Sequence, residues 1–235
     1  MLHHMLRAAA RGDPVADFAE VAHLVFDLTA EGFADTTAIG TLTDQTGNSR
    51  DATQATGTKQ PLAQTVSGMK VARFDGADDG LQTAAFGTLS QPNTIIALVK
   101  STATGQTPYV VDGLDSGSRN LIVVNADGNW LINAGSSITD GASDTSWHVL
   151  VGTFNSTASA LFVDGGTAAV SGDAGADALT GLTVGIRYTF IRSWDGDIAY
   201  LGLYDGDLKT DDLTLLNNTC QALADRAGIT WTDIT

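Results

Sequence analysis

WHVLVGTFNSTASALFVDG, residues 147–165, decides the fold class. Two runs of strand length, 147–154 and 160–164, are rich in β-branched and aromatic residues and are joined by the turn-forming stretch 155–159. Period-two alternation sends Trp147, Val149 and Val151 to one side of the first run and His148, Leu150 and Phe154 to the other. Both faces of that strand are therefore expected to be buried.

The same pattern extends in both directions. NTIIALVK (93–100), TPYVV (107–111), NLIVVN (120–125), NWLIN (129–133) and DIAYLGLYD (197–205) are further short apolar runs. Ala126-Asp127-Gly128 and Asp164-Gly165-Gly166 are hairpin-grade turns, so sequential antiparallel pairing is expected. In the last run, Ile198, Tyr200, Gly202 and Tyr204 fall on one face and Ala199, Leu201 and Leu203 on the other. Helices of 10–15 residues between strands are missing from the pattern, which favours a two-sheet sandwich over a parallel architecture.

The two ends differ from this body. Residues 1–23 read as a partly helical N-terminal arm, with Asp13 as N-cap and Pro14 at the first helical position. Residues 210–227 read as a C-terminal helix capped by Thr210, with Leu213, Leu216, Cys220 and Leu223 on its apolar stripe and Gly228 as its stop. Cys220 is then a small core residue. The chain divides into the arm, 1–23, and one sandwich domain, 24–235, that includes the C-terminal helix.

Composition narrows the function classes. The net charge is −15, with 25 Asp and 2 Glu against 12 basic residues. Phosphate backbones and anionic membranes are bound through Lys and Arg, so neither nucleic acid nor a membrane is expected as a partner. The lone Cys220 excludes an intrachain disulfide. The start, MLHHMLRAAARGDP, does not read as a signal peptide, because Arg7 and Arg11 interrupt its apolar run.

LTDQTGNSRDATQ (42–54), KVARFDGADDGLQT (70–83), NTIIALVK, WHVLVGTFNSTASALFVDG and WDGDIAYLGLYDGDLKTDDLTLL (194–216) follow one another in that order. Together they resemble the concanavalin A-like lectin/glucanase superfamily, in its laminin G-like jelly-roll form of the bacterial and phage type. The resemblance spans roughly residues 24 to 230, and its specificity lies in the ordered set. It implies two curved antiparallel sheets of six or seven strands packed face to face.

Enzymatic motifs do not accompany the resemblance. The glucanase branch uses paired glutamates, whereas this chain has only Glu20 and Glu31, both ahead of the sandwich body. Asp195 and Asp197 share one side of a strand approach, but Gly196 marks a turn there. No nucleophile elbow, zincin motif or phosphate-binding loop is spelled. Lyase chemistry on acidic glycans would want Arg, His and Tyr converging, for which Arg119, His148 and Tyr188 are present by type, while the acidic surface would repel a polyuronate. No catalytic residue is assigned.

Binding sites are expected instead. Asp75, Asp78 and Asp79, between Gly76 and Gly80, offer hard oxygen ligands for calcium, with Arg73 placed to neutralise Asp75 if no metal is bound. Asp173 and Asp177 form a weaker set of the same kind. Trp130 with Asn129 and Asn133, and Trp194 with Asp195, are the candidate sugar-stacking positions. The resemblance implies a non-catalytic structural or adhesive accessory protein of a virus particle, a phage capsid decoration or tail-associated protein at the virion surface. It would dock other virion proteins through residues 1–23, assemble with copies of itself and require no cofactor beyond a possible calcium ion. The alternative is a free-standing, extracellular carbohydrate-binding lectin module, with host-surface or other glycans as its partners.

Overall fold

A computed structural model describes residues 12–102 and 107–235. Two antiparallel sheets of eight strands each pack face to face. The first runs β14 (Val170–Gly172), β13 (Ser159–Val163), β12 (Trp147–Phe154), β7 (Asn93–Ser101), β16 (Asp195–Tyr204), β5 (Met69–Asp75) and β4 (Leu62–Val66). β1 (Leu24–Asp27) completes it on the second half of β16, at Tyr200 to Leu203, while β5 pairs the first half, at Asp195 to Ile198. The second sheet runs β11 (Ser137–Ala142), β10 (Asn129–Asn133), β9 (Leu121–Val124), β8 (Tyr109–Asp112), β15 (Thr183–Val184), β6 (Leu81–Thr83), β3 (Ala52–Thr53) and β2 (Thr41–Leu42). The count exceeds the expected six or seven per sheet because strands of two or three residues, such as β2, β3 and β15, lack the length for a periodic signal.

Between the sheets lies a core that includes Phe26, Phe74, Val99, Leu150 and Leu201 from the first sheet and Val110, Ile122, Trp130 and Val184 from the second. The outer face of the first sheet is buried too. Trp147, Val149, Val151, Ile96 and Leu98 point away from the sandwich into a second core. That core is completed by α1 (Pro14–Val21), by α4 (Leu213–Ala227) through Leu216, Cys220 and Leu223, and by Trp231 and Ile234 of the C-terminal tail. Every residue of β12 is buried, as its double-sided apolar pattern requires.

Two expectations change. Strict alternation along β16 fails because Ile198 pairs Val99 while Tyr200 pairs Leu98, leaving Ala199 as an extra residue. This bulge places Ile198 with Leu201 and Leu203 in the sandwich core, and Ala199 with Tyr200 in the outer one. The C-terminal helix breaks in two: α3 (Leu208–Asp211) precedes α4, whose N-cap is Asp212, not Thr210, since Asp212 accepts the Leu215 amide. Residues 14–21 of the expected arm form α1, which is docked on the chain's own body. Asp13 caps α1 through the Val15 amide, and Phe18 is wholly buried against the chain's own body. Residues 1–11 of the arm lie outside the described residues. Among the described residues no helix is long and apolar enough to cross a membrane.

Candidate functional site

The outer face of the second sheet carries an arginine and tyrosine cluster. Tyr109, Leu121 and Val123 form a small apolar patch there, opposite the sandwich core, with Leu131 beside it. β8 contributes Asp112, and the connection to β9 turns back to bring Arg119 against it. Gly113 permits that return, because a Cβ at this position would lie 1.5 Å from the Ser118 carbonyl oxygen. The Asp112 carboxylate is fully buried and accepts four bonds. Arg119 Nε at 2.9 Å and the Gly113 amide at 2.9 Å donate to Oδ1, and Arg119 Nη2 at 2.9 Å and the Tyr188 amide at 3.2 Å donate to Oδ2.

Arg119 is thereby fixed as a platform. Its guanidinium lies 5.8 Å from the centre of the Tyr109 ring and 5.1 Å from that of Tyr188, and Nη2 reaches the Tyr109 hydroxyl at 3.4 Å. Burial alone would lower its pKa, but the Asp112 carboxylate and the Tyr109 hydroxyl outweigh that and hold it above its ordinary value. A second guanidinium, that of Arg187, lies 5.2 Å from the Tyr188 ring centre. Tyr188 is half-buried, so part of the residue meets solvent.

Tyr188 sits on the loop between β15 and β16. The loop is pinned at its base, where Trp194 donates to the Gly185 carbonyl at 2.7 Å and Gly185 donates to Val110 at 2.9 Å. Gly185 has φ +71° and lies so close to Phe74 that a Cβ would fall 2.0 Å from Cε1. At the tip, Phe190 and Arg192 have φ of 56° and 63°, the left-handed region that costs a non-glycine residue roughly 1–3 kcal/mol. Ile191 between them is 52 % exposed.

The acidic stretch at 75–79 abuts this loop. β5 ends at Asp75 in the first sheet and β6 begins at Leu81 in the second, so the bend between them crosses from sheet to sheet. Ser193 Oγ donates to the Asp79 carbonyl at 2.6 Å, and the Gly76 amide donates to the Trp194 carbonyl at 3.0 Å. Ligand atoms of Asp75, Asp78 and Asp79 lie within 4.8 Å of one another. Burial first, then the charges of Asp75 and Asp78, push Asp79 up to about 6 against the pull of the Asp75 amide. Asp75, Asp79, Asp195, Thr102 and Leu62 line a cleft of about 450 Å³ beside it. Oxygen donors of this kind suit a hard cation such as calcium. They also have protein partners: Asp75 accepts the Ala77 amide, Asp79 accepts the Asp75 amide, and Lys59 lies 3.6 Å from Asp78.

The other expected positions fall elsewhere. Trp130 and Trp194 are 1 % and 0 % exposed and stack on each other in the sandwich core, 6.2 Å between centres, so neither can present a face to a sugar. Their alternation places them inward, and the pattern NWLIN reads the same for either face. Asn129 is half-buried beside the turn at Asn125, and Asn133 donates to Ser137 Oγ. Asp195 accepts the Thr102 hydroxyl, whereas Asp197 is buried and paired with Arg73 at 2.8 and 2.9 Å. Arg73 therefore neutralises Asp197 rather than Asp75. Asp173 accepts the Gly175 amide in a turn and does not join Asp177 in a metal-holding group.

Of the trio available by type, Arg119 and Tyr188 meet, but His148 belongs to the other sheet. There it bridges Asp164 at 2.8 Å and Asp144 at 3.1 Å and packs edge-on against Trp130. Tyr109 and Arg187 escaped the sequence reading. The available signal was IRYTFIRSW (186–194), which holds two of the 8 arginines and three aromatics in an otherwise acidic chain.

Comparison with known proteins follows the fold. The chain resembles domain 4 of AbnA, a GH43 extracellular arabinanase from Geobacillus stearothermophilus solved with arabinotriose, at a TM-score of 0.59 and 18% identity, covering 88% of this chain and 100% of that domain. It also resembles Trypanosoma rangeli sialidase in complex with the inhibitor DANA, at a TM-score of 0.59 and 15% identity, covering 95% of this chain. The match spans 35% of the sialidase's length. A search of curated protein sequences returned no match. The family model for the concanavalin A-like lectin/glucanases superfamily matches residues 75–214, more than half of the chain. The chain belongs to that superfamily, and its two eight-stranded sheets are a lectin-like jelly-roll sandwich.

Proposed function

We propose that the chain is a carbohydrate-binding module that holds sugar on the outer face of its second sheet, against Tyr188 and the Arg119 and Tyr109 platform. The observation that carries this reading is the half-buried Tyr188, held in place by a buried carboxylate through its own backbone amide and through Arg119. Sugar rings stack on aromatic faces whose orientation is fixed in advance, since a preordered ring loses little entropy on binding. The arabinanase domain solved with arabinotriose lends the reading support from outside the chain.

The module is proposed to bind without cleaving. Glu20 lies on α1, and Glu31, at the end of α2 (Leu28–Glu31), bonds Thr43. The pairing of Asp197 with Arg73 takes one carboxylate of the Asp195 and Asp197 pair out of play. The relatives are domains of carbohydrate-active enzymes and lend no support to a virion role, and α1 is packed against its own chain rather than held free for a neighbour. Calcium at Asp75, Asp78 and Asp79 is proposed as a rim ion that stiffens the bend beneath the β15–β16 loop.

A glycan array probed with the protein and with Tyr188→Ala tests the assignment. Binding to a defined set of oligosaccharides, lost at least tenfold in the variant while its melting temperature stays within a few degrees, is expected. Undiminished binding by Tyr188→Ala would place the sugar elsewhere.

A further inference from the structure

The charge at the Tyr188 cluster does not balance. Two guanidiniums, Arg119 and Arg187, lie within 5.1 and 5.2 Å of the same ring; among the described residues Asp112 is the one carboxylate ion-paired with either, and it holds Arg119, on which Asp177 acts only at longer range. All four bonds that Asp112 accepts come from Arg119, Gly113 and Tyr188, so it has no lone pair left to offer Arg187. Arg187 Nε is shielded from solvent and has no hydrogen-bond partner. Arg192, five residues on, is exposed. Among the described residues, neither Arg187 nor Arg192 takes part in an ion pair, although Arg73, Arg119 and Arg226 all do.

In a chain of net charge −15 this is an unusual place to leave two arginines without a carboxylate. The unbonded, shielded Nε N–H costs free energy, and an incoming acceptor meets Arg187 at its Nη groups, which are neither shielded nor bonded. The strained left-handed residues Phe190 and Arg192 hold the loop in a shape that local preference disfavours, as ligand-holding loops often are held.

We infer that Arg187, with Arg192 on the same loop, is a subsite for a carboxylate carried on a sugar whose ring stacks on Tyr188. This rests on the carbohydrate-binding reading and names the class of sugar. Guanidinium pairs a planar carboxylate through two parallel charge-assisted bonds, and because it can pair a tetrahedral oxyanion the same way, a sulfated sugar is the control. The repulsion of the surrounding acidic surface is screened beyond about 8 Å at physiological ionic strength, so a single charge at the subsite feels mainly the arginines.

Isothermal titration calorimetry with 3′-sialyllactose against lactose, glucuronoxylotriose against xylotriose, and 3′-sulfolactose tests this on the full chain, on Arg187→Gln and on Arg192→Gln. At least one carboxylated sugar should bind tenfold or more tightly than its neutral parent. Arg187→Gln should abolish that preference, weakening the acidic sugar at least tenfold more than its neutral parent, and Arg192→Gln should reduce it. Binding of 3′-sulfolactose alone would overturn the carboxylate assignment. Equal binding of acidic and neutral sugars, or a preference that survives in Arg187→Gln, would overturn the subsite and leave the carbohydrate-binding reading standing. Silence toward every sugar, acidic and neutral, would overturn both.

Discussion

Asp112 shows how one buried carboxylate can define a surface. Burying a charge is costly unless it is fully paired, and here two guanidinium bonds and two amide bonds discharge that cost while locking Arg119 and the Tyr188 backbone in place. Asp79 has the opposite environment. Its neighbours are carboxylates and it is pushed up to about 6, so the proton that it holds in the fold is lost only as pH rises through that value. A cation at the cluster competes with that proton. Calcium should therefore raise the melting temperature at pH 7.5 and lose most of that effect at pH 5, as read by differential scanning fluorimetry with EDTA as control. An equal melting temperature with calcium and with EDTA at pH 7.5 would leave the stretch as a sheet-to-sheet bend alone.

Elements explain which parts of the sequence could be read in advance. β7, β12 and β16 are central strands buried on both faces, and their long apolar runs are unmistakable. The C-terminal stripe through Leu216, Cys220 and Leu223 was equally legible. What the pattern could not show was the second core, because an apolar outer face on β12 and an amphipathic α1 do not announce that they meet. The binding cluster stayed hidden for a related reason. Tyr109, Arg119 and Tyr188 are far apart in the chain and come together only through the order β9, β8, β15 in the second sheet. The two tryptophans misled because a large aromatic beside a polar residue reads alike on either face of a strand. The docking of α1 is testable by Phe18→Ala. Loss of this wholly buried ring should cost about 3–5 kcal/mol in urea unfolding, whereas a loosely attached arm would show almost none.

Across the whole molecule, most of the groups shifted between pH 4 and 8 act in one direction, with His23, lowered by its burial and by Arg50, opposing them. Burial raises Glu31, Asp79, Asp177 and Asp211, and the paired carboxylates Asp164 and Asp144 raise His148 against its burial. A group raised on folding contributes stability that is complete below its unfolded pKa and is lost as pH rises through the folded one. For the four carboxylic acids that loss begins above about pH 4, and for His148 above about 6.5. The excess of 25 aspartates adds self-repulsion in the same direction. The protein should therefore melt higher at pH 5.5 than at pH 8.5 in the absence of calcium, and His148→Gln should flatten the upper part of that profile. A melting temperature that rises across the same range would contradict the assignment of His148 as a charged bridge between the two aspartates.

The sandwich presents one face shielded by helices, and on its other face the half-buried Tyr188 meets the fixed Arg119 guanidinium. The most direct test of that placement is the amide spectrum of ¹⁵N-labelled protein, recorded by NMR as an oligosaccharide selected on the array is titrated in. Shifts concentrated at Tyr109, Arg119 and residues 187–192 are predicted. Shifts concentrated in the cleft at Asp75 and Asp195, with the Tyr188 loop unmoved, would contradict the account.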